Sequence, residues 1–511
     1  MKRGSRKSLF FILFLVILQL GLMGYYEWTY FYSYVHSDIS ADLVMADHMA
    51  NMGEWIFCSD WRFSSEIHFL HTQLIMVPLF HLFHSYRLVQ LITCILALVM
   101  CGILSAVVTY ELCSDWTLSL LSVLLLWAPL SEQYVLGFQA LASSSYIFFT
   151  LLFWAMYLHW IKSQKKLWLI FIFLLSLLMG MCGIRFWVIL FAPFILMFFG
   201  DFFRENLHKE KIEVNKKNLL EILGIAGSAA LGLLIFKVGL EPKYGAGTAG
   251  SAVWVSGEET MENILYTPFA LLECFGGFQM EGFSVLCIHG IIQIVFFAAA
   301  ISFYFIWGYS YIKRSSIYDT ETILGRKFLA YALVVNVCMI GFTNMGQAWG
   351  RKMEIHYLVL ALVLFYPVVL ALLKQCKMNK WFKGIAVFLA CLYVVGSDGS
   401  LFADTQLKEK PVYATWLEEQ GYSFGWSYDY WIGGPVTTAY TDANVEVCYI
   451  RTPEFSAKEV QLTKISNGDR MPEFITFPSD VDSETILMDC PLAYEEVYQD
   501  AEVIIYELGR K

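Results

Sequence analysis

At 511 residues, with 58% hydrophobic and 16% charged side chains and a mean hydropathy of +0.55, the chain is too apolar for a soluble globular protein. Its net charge of −10 gives no basic surface for nucleic acid, and no nucleic-acid partner is expected. The acidity is local: from Ser397 onward there are 21 Asp and Glu against 8 Lys and Arg, which leaves 24 against 27 before that point.

The first apolar run, Leu9 to Tyr26, follows Lys2, Arg3, Arg6 and Lys7 and leads straight into aromatics with no small-residue cleavage site. It reads as an uncleaved first span. Ten further runs bring the expected total to eleven: about 9–27, 86–111, 117–135, 141–160, 167–182, 185–200, 218–238, 284–308, 328–344, 357–374 and 384–397. Lys and Arg gather in alternate connections, around 162–166, 204–217, 313–327 and 374–383. The positive-inside rule then places the N-terminus inside and the segments 28–85, 239–283 and the tail outside.

The expected fold is therefore a polytopic α-helical membrane protein of about eleven transmembrane helices over 1–397. A small α/β domain follows over 398–511, on the outer face of the plasma membrane. In that tail, PVYATWLEEQ predicts a helix. The runs YSFGW, PVTTAY, VEVCYI, ETILMD and AEVIIYEL predict strands with a helix or two among them. The tail has no P-loop and no GxGxxG, so it offers no nucleotide site. The twelve cysteines lack metal-ligand spacing; Cys448 and Cys490 share the tail and could pair as a disulfide.

The first outer loop concentrates chemistry. Tyr34 to Arg87 holds six of the ten histidines (His36, His48, His68, His71, His81, His84) with Asp38, Asp42, Asp47, Asp60 and Glu66. Asp38 to Met52 has helical spacing, with Ile39, Leu43, Ala46 and Ala50 on one side; Ile67 to Phe83 is an apolar stretch interrupted by Pro78. Both read as helices on the membrane surface, as does Thr260 to Phe275 in the second loop. Asp38 suits a general base for a hydroxyl acceptor, a cation ligand or the N-cap of its own helix. Asp38, Glu66 and His68 form a ligand set for a divalent cation, without diagnostic spacing.

Cations on the outer side would need partners. Arg185, between two apolar runs, calls for an anionic phosphate or an intramolecular carboxylate. Arg351 and Lys352, just before His356, are an adjacent pair of cations against the local charge bias. Arg62 is the other cation of the first loop. Trp254, Phe275 and Phe278 can stack on a sugar or anchor at the interface.

Four segments together resemble the GT-C superfamily of multi-span glycosyltransferases, of the dolichyl-phosphate-mannose-protein mannosyltransferase and aminoarabinose transferase type. They are Ser37-Asp38 with the Ala- and Met-rich helix ending Asn51-Met52-Gly53; Trp61-Arg62-Phe63 with the run ending HLFHSYRLVQLI; Arg351 to His356-Tyr357; and GYSFGWSYDYWIGGPVTTAY in the tail. The resemblance implies a GT-C-like fold and inverting transfer of a hexose or pentose. The donor would be a polyprenyl-phosphate-linked sugar held in membrane lipid, and the acceptor a glycan, lipid or protein of the envelope. It implies that Asp38 is the catalytic acid–base residue. Relatives carry Asp-Glu where this chain has Asp38-Ile39, so Asp42 or Glu66 is the second acid. The donor phosphate falls to Arg351 and Lys352, with Arg185, Arg62 and His356. The rival expectations are a transporter or flippase for a lipid-linked sugar and a non-catalytic scaffold for envelope assembly.

Overall fold

The computed structural model describes residues 3–59, 61, 70–129, 144–206, 216–244, 252–276, 287–312, 317–346, 356–376, 378–450 and 471–509. It is mostly helical, with a small C-terminal sheet. The helices in order are α1 (Arg3–Thr29), α2 (Phe31–Tyr34), α3 (Ser37–Met52), α4 (Gln73–Phe80), α5 (Tyr86–Cys113), α6 (Trp116–Trp127), α7 (Ser144–Ser163) and α8 (Lys166–Met181). Then come α9 (Ala192–Asn206), α10 (Lys216–Ile235), α11 (Glu241–Tyr244), α12 (Gly257–Glu273), α13 (Ile288–Ile312), α14 (Thr320–Phe342), α15 (His356–Ala361), α16 (Phe365–Gln375) and α17 (Lys380–Asp404).

Among the described residues, seven segments are long and apolar enough to cross a membrane: Leu9–Thr29, Tyr86–Cys113, Ser144–Ser163, Leu219–Tyr244, Ile288–Ile312, Thr320–Phe342 and Trp381–Ala403. Four shorter apolar helices, Trp116–Trp127, Lys166–Met181, Trp187–Asp201 and Phe365–Gln375, fall where the other four runs were expected. Several boundaries differ; the helix expected over 117–135, for one, ends at Trp127. The helix expected from 328 starts at Thr320, because Arg326 is 4% exposed, stacks over Tyr311 at 4.3 Å and donates to the Ser310 carbonyl. The run expected over 357–374 is broken by a turn at 362–364, between α15 and α16. The last helix continues past 397 to Asp404.

Close packing rests on glycine in one pair. A Cβ on Gly180 of α8 would lie 2.2 Å from the Ala229 carbonyl oxygen, and one on Gly232 of α10 would lie 2.1 Å from that of Leu177. Small residues at those points let the two backbones touch.

The two ends of the bundle are chemically distinct. At one end, Lys162 pairs with Glu111 at 2.9 Å and Lys374 with Asp115 at 3.5 Å, while Thr322 Oγ1 donates to the Leu112 carbonyl at 3.2 Å. Lys327 pairs with Asp201 at 2.5 Å. At the other end lie the first loop, the start of α5 and the tail. Phe57 of the first loop also meets Tyr244, at the head of the second loop, with ring centroids 4.5 Å apart. The first and last apolar helices run parallel: Gln19 donates to Asp398 at 2.6 Å and Tyr26 is 3.2 Å from Thr405, both with a sequence offset of 379. The tail therefore emerges at the end where α1 delivers the first loop.

The tail holds α18 (Val412–Gln420), β1 (Phe424–Ser427), α19 (Pro435–Tyr440), β2 (Glu446–Tyr449), β3 (Phe474–Pro478), α20 (Ser483–Leu487), β4 (Ala493–Gln499) and β5 (Val503–Gly509). The sheet order is β2-β1-β3-β5-β4, with β1 parallel to β2 and β3, and β5 antiparallel to β3 and β4. Side chains alternate across it. Val503 and Ile505 join Tyr413, Ala414 and Leu417 of α18 on one face, while Ile504, Tyr506 and Leu508 join Leu487, Cys448 and Cys490 on the other. No disulfide joins the two cysteines.

PVTTAY and the start of ETILMD, which are among the runs quoted from the sequence, are the helices α19 and α20. Pro435 opens α19 directly after Gly434, and Asp482 caps α20 by accepting from the Thr485 N–H at 3.3 Å. Strands β3 and β4 fall on FITFP and AYEEVYQ, outside the quoted runs.

Candidate functional site

The first loop becomes a helix for local reasons. His36 is the N-cap of α3: its Nδ1 accepts from the Asp38 N–H at 3.2 Å. The helix closes at Gly53, whose φ of 71° is the left-handed conformation that favours glycine. Asp38 therefore does not cap its own helix; it occupies the first turn, where the helix dipole favours a negative charge. Ile39, Leu43, Ala46 and Ala50 are buried as their spacing predicts, and so are Met45 and Met49. The helix does not lie open on a membrane surface. It is buried in protein, between α4 and the tail helix α19. Of the apolar stretch 67–83, only Gln73–Phe80 is described as helix, ending two residues after Pro78. In the second loop, α12 keeps Met261, Ile264, Leu265 and Phe269 exposed, as an interfacial helix requires.

Asp38 is exposed, and Tyr430 of the tail donates its hydroxyl to Asp38 Oδ1 at 2.9 Å. Among the described residues Oδ2 makes no hydrogen bond, so the carboxylate is held through one oxygen and open through the other. Ser37 secures the same approach by donating to the Tyr430 carbonyl. Around it, Tyr440 donates to the Val35 carbonyl at 3.2 Å, and the Lys408 N–H donates to Ser33 Oγ at 2.9 Å. The tail is thus laid directly over the residues that carry Asp38.

One turn further, Asp42 is buried, with its carboxylate 3.6 Å from Nδ1 of the buried His71; Thr72 Oγ1 is 2.9 Å from the same nitrogen. This pair ties α3 to the lead-in of α4. Asp47 accepts from the Tyr86 hydroxyl at 3.0 Å, and Asp442 of the tail accepts from the Tyr86 N–H at 2.6 Å. Asp442 thereby caps α5 from the other end of the sequence, and Ser85 makes no side-chain cap. Burial raises the carboxyls of Asp47 and Asp442 above the ordinary carboxylate range, against the lowering effect of these Tyr86 hydrogen bonds. Asp442 is exposed as a residue, but its carboxylate is pressed against the helix end.

The cationic side is less fully described. Arg185 stands over the Tyr146 ring at 5.1 Å, a cation–π contact. It lies just before the π-helical turn Trp187–Phe191. Glu66, His68, Arg62, Arg351 and Lys352 lie outside the described residues, as does Phe278. His356 opens α15, and its side chain is likewise outside. The described residues therefore bring Asp38 and Asp42 onto one helix but do not join them to the cations. Phe275 is 2% exposed inside a cluster with Phe303, Tyr304, Phe365 and Tyr366, which makes it core and neither a sugar platform nor an anchor. Trp254 is 80% exposed, bridged through its backbone to Thr343. Among the described residues no three His, Cys, Asp or Glu converge as a metal site.

Tyr430, Trp431 and Asp442 were not singled out from the sequence, although the first two lie in the tail segment that carries part of the resemblance. Compared with known proteins, the chain matches no family model and no curated protein.

Proposed function

We propose that the protein is a GT-C-type glycosyltransferase with eleven transmembrane spans in the plasma membrane. In this reading its N-terminus is inside, its tail outside, and it moves a sugar from a polyprenyl-phosphate donor to an envelope acceptor on the outer face. Asp38 takes the proton of the acceptor hydroxyl as that oxygen attacks the anomeric carbon. The bond from that carbon to the phosphate oxygen breaks, polyprenyl phosphate leaves with the electron pair, and the configuration inverts. Asp42 or Glu66 is the second acid. Arg351 and Lys352, with Arg185, Arg62 and His356, hold the departing phosphate, each charge-assisted contact contributing about 1.5–3 kcal/mol. A divalent cation on Asp38, Glu66 and His68 is the optional addition.

The observation that carries the reading is the state of Asp38: an exposed carboxylate fixed through one oxygen by Tyr430 and open through the other. A base needs that combination of fixed aim and free lone pair. Asp398, bonded by Gln19 between two apolar helices, favours the transporter as second reading, since ionisable groups inside spans mark translocation paths. Reconstituting the protein in liposomes with a panel of labelled polyprenyl-phosphate sugars and a membrane extract as acceptor separates the two. Label transferred covalently to acceptor supports the transferase. Intact donor crossing the bilayer with no transfer contradicts it.

A further inference from the structure

Glu27 puts a carboxylate into the protein interior at the end of the first apolar segment. It is 1% exposed and two residues short of the end of α1, about 3 Å of helix rise from the side where the first loop and the tail lie. Tyr30 breaks the helix with φ −101° and ψ 18°, and the short α2 turns the Tyr34 hydroxyl back to donate to the Glu27 carbonyl at 3.5 Å. Helix α5 supplies the opposite wall with Gln90 and Cys94, both buried. The Tyr34 hydroxyl and the Cys94 thiol face the Glu27 carboxyl, and Gln90 faces Tyr34. The Gln90 amide donates to the Cys94 sulfur at 3.4 Å.

This lining is rich in acceptors and short of positive charge. Both carboxylate oxygens of Glu27 and Oε1 of Gln90 are buried without a hydrogen bond among the described residues. The two protons that could turn toward the carboxylate, on Tyr34 and Cys94, bring no charge to match it. Arg87, one turn before Gln90, is spent elsewhere: it donates to the Trp28 carbonyl at 2.9 Å and stands over the Trp28 ring at 4.2 Å. A buried anion among neutral neighbours is costly, and ionisable groups at membrane depth mark ion sites and paths. A proton would neutralise Glu27 but bring a single donor to three oxygens. A divalent cation would exceed the one negative charge and leave a positive charge buried. A desolvated alkali cation matches the charge and takes oxygen ligands from carboxylate, amide and phenol.

We infer that Glu27, Gln90 and the Tyr34 hydroxyl form a monovalent-cation site between α1, α2 and α5, with Glu27 as the charged ligand. The bound ion pins α2 against α5, and α2 leads through Val35 and His36 into α3. The site is separate from the divalent position considered at Asp38, Glu66 and His68. It stands whether the protein is a transferase or a transporter.

The test is thermal unfolding of the full-length protein in detergent, titrated with sodium chloride or potassium chloride against choline chloride at constant ionic strength. The wild-type midpoint rises with at least one of the two alkali ions and keeps rising logarithmically above the dissociation constant. Glu27→Gln keeps the size of the side chain and removes its charge; it loses the alkali response, and its midpoint in choline is no lower than that of wild type. Gln90→Ala weakens the apparent affinity for the ion by about tenfold or more, and it decides alone where Glu27→Gln does not fold. A midpoint indifferent to sodium and potassium but raised by acidification would put a proton on Glu27 and overturn the inference. So would a response to calcium alone, or an alkali response that both variants keep in full.

Discussion

Asp442→Ala tests whether the tail is latched to the membrane helices through the N-terminus of α5. The carboxylate accepts the Tyr86 N–H at 2.6 Å, and no other side chain caps that end among the described residues. Loss of an N-cap acceptor costs about 0.5–2 kcal/mol. Because Asp442 is exposed as a residue, about 1 kcal/mol is the expected cost, a roughly fivefold rise in the undocked population. Protease sensitivity of the connector between Asp404 and Val412 reads that population when docking is fast relative to cleavage. Asp442→Asn keeps an acceptor oxygen and should be cut far more slowly than Asp442→Ala. The pH dependence has a definite sign. Asp442 has a carboxyl raised by burial, so the docked state binds more protons than the undocked one between the ordinary and the raised carboxyl range. Docking is therefore favoured as pH falls through the raised value and weakened as pH rises through it. Asp442→Asn flattens its share of that slope. Cleavage of Asp442→Ala at the wild-type rate, or docking that weakens on mild acidification, would refute the latch.

Other residues give sharper stability readouts by thermal unfolding in detergent. Asp42→Ala leaves His71 buried without its carboxylate and should destabilise by about 1–3 kcal/mol, whereas an unchanged midpoint denies the pair a structural role. Phe275→Ala empties a fully buried aromatic cluster and should cost about 3–5 kcal/mol while leaving KM for sugar unchanged in whatever protein survives. Gly180→Ala forces a methyl onto the Ala229 carbonyl and should cost about 1–3 kcal/mol; tolerance of that change would show that α8 and α10 do not pack so closely.

Much of the bundle was legible because hydropathy and charge act locally. Among the described residues, seven of the expected runs contain helices long and apolar enough to cross a membrane and the other four contain shorter apolar helices, and Lys162 and Lys374 pair with acids at the end opposite the first loop and the tail. Helix α3 was legible to within a residue from its 3.6-residue spacing. Its burial was not, because what covers it comes from elsewhere in sequence: Tyr430 reaches Asp38 across 392 positions and Asp442 reaches Tyr86 across 356. Of the three readings open to Asp38, the N-cap falls away because His36 takes the role usually given to Asp. A cation ordinarily marks a helix end, which hides Arg326 as a helical residue; stacking on Tyr311 lets it enter the packed interior. In the tail, short β-prone runs became helices where Gly434-Pro435 and Asp482 supplied start signals.

The central claim is that Asp38 is the base of a sugar transfer. Its most direct test compares wild type with Asp38→Asn in liposomes, measuring transfer from a polyprenyl-phosphate sugar to acceptor. The amide keeps the size of the side chain and an oxygen for the Tyr430 hydroxyl, but it cannot take a proton. The account predicts kcat lower by about 10²–10⁴-fold with donor binding and unfolding midpoint unchanged. Transfer by Asp38→Asn at the wild-type rate would contradict it.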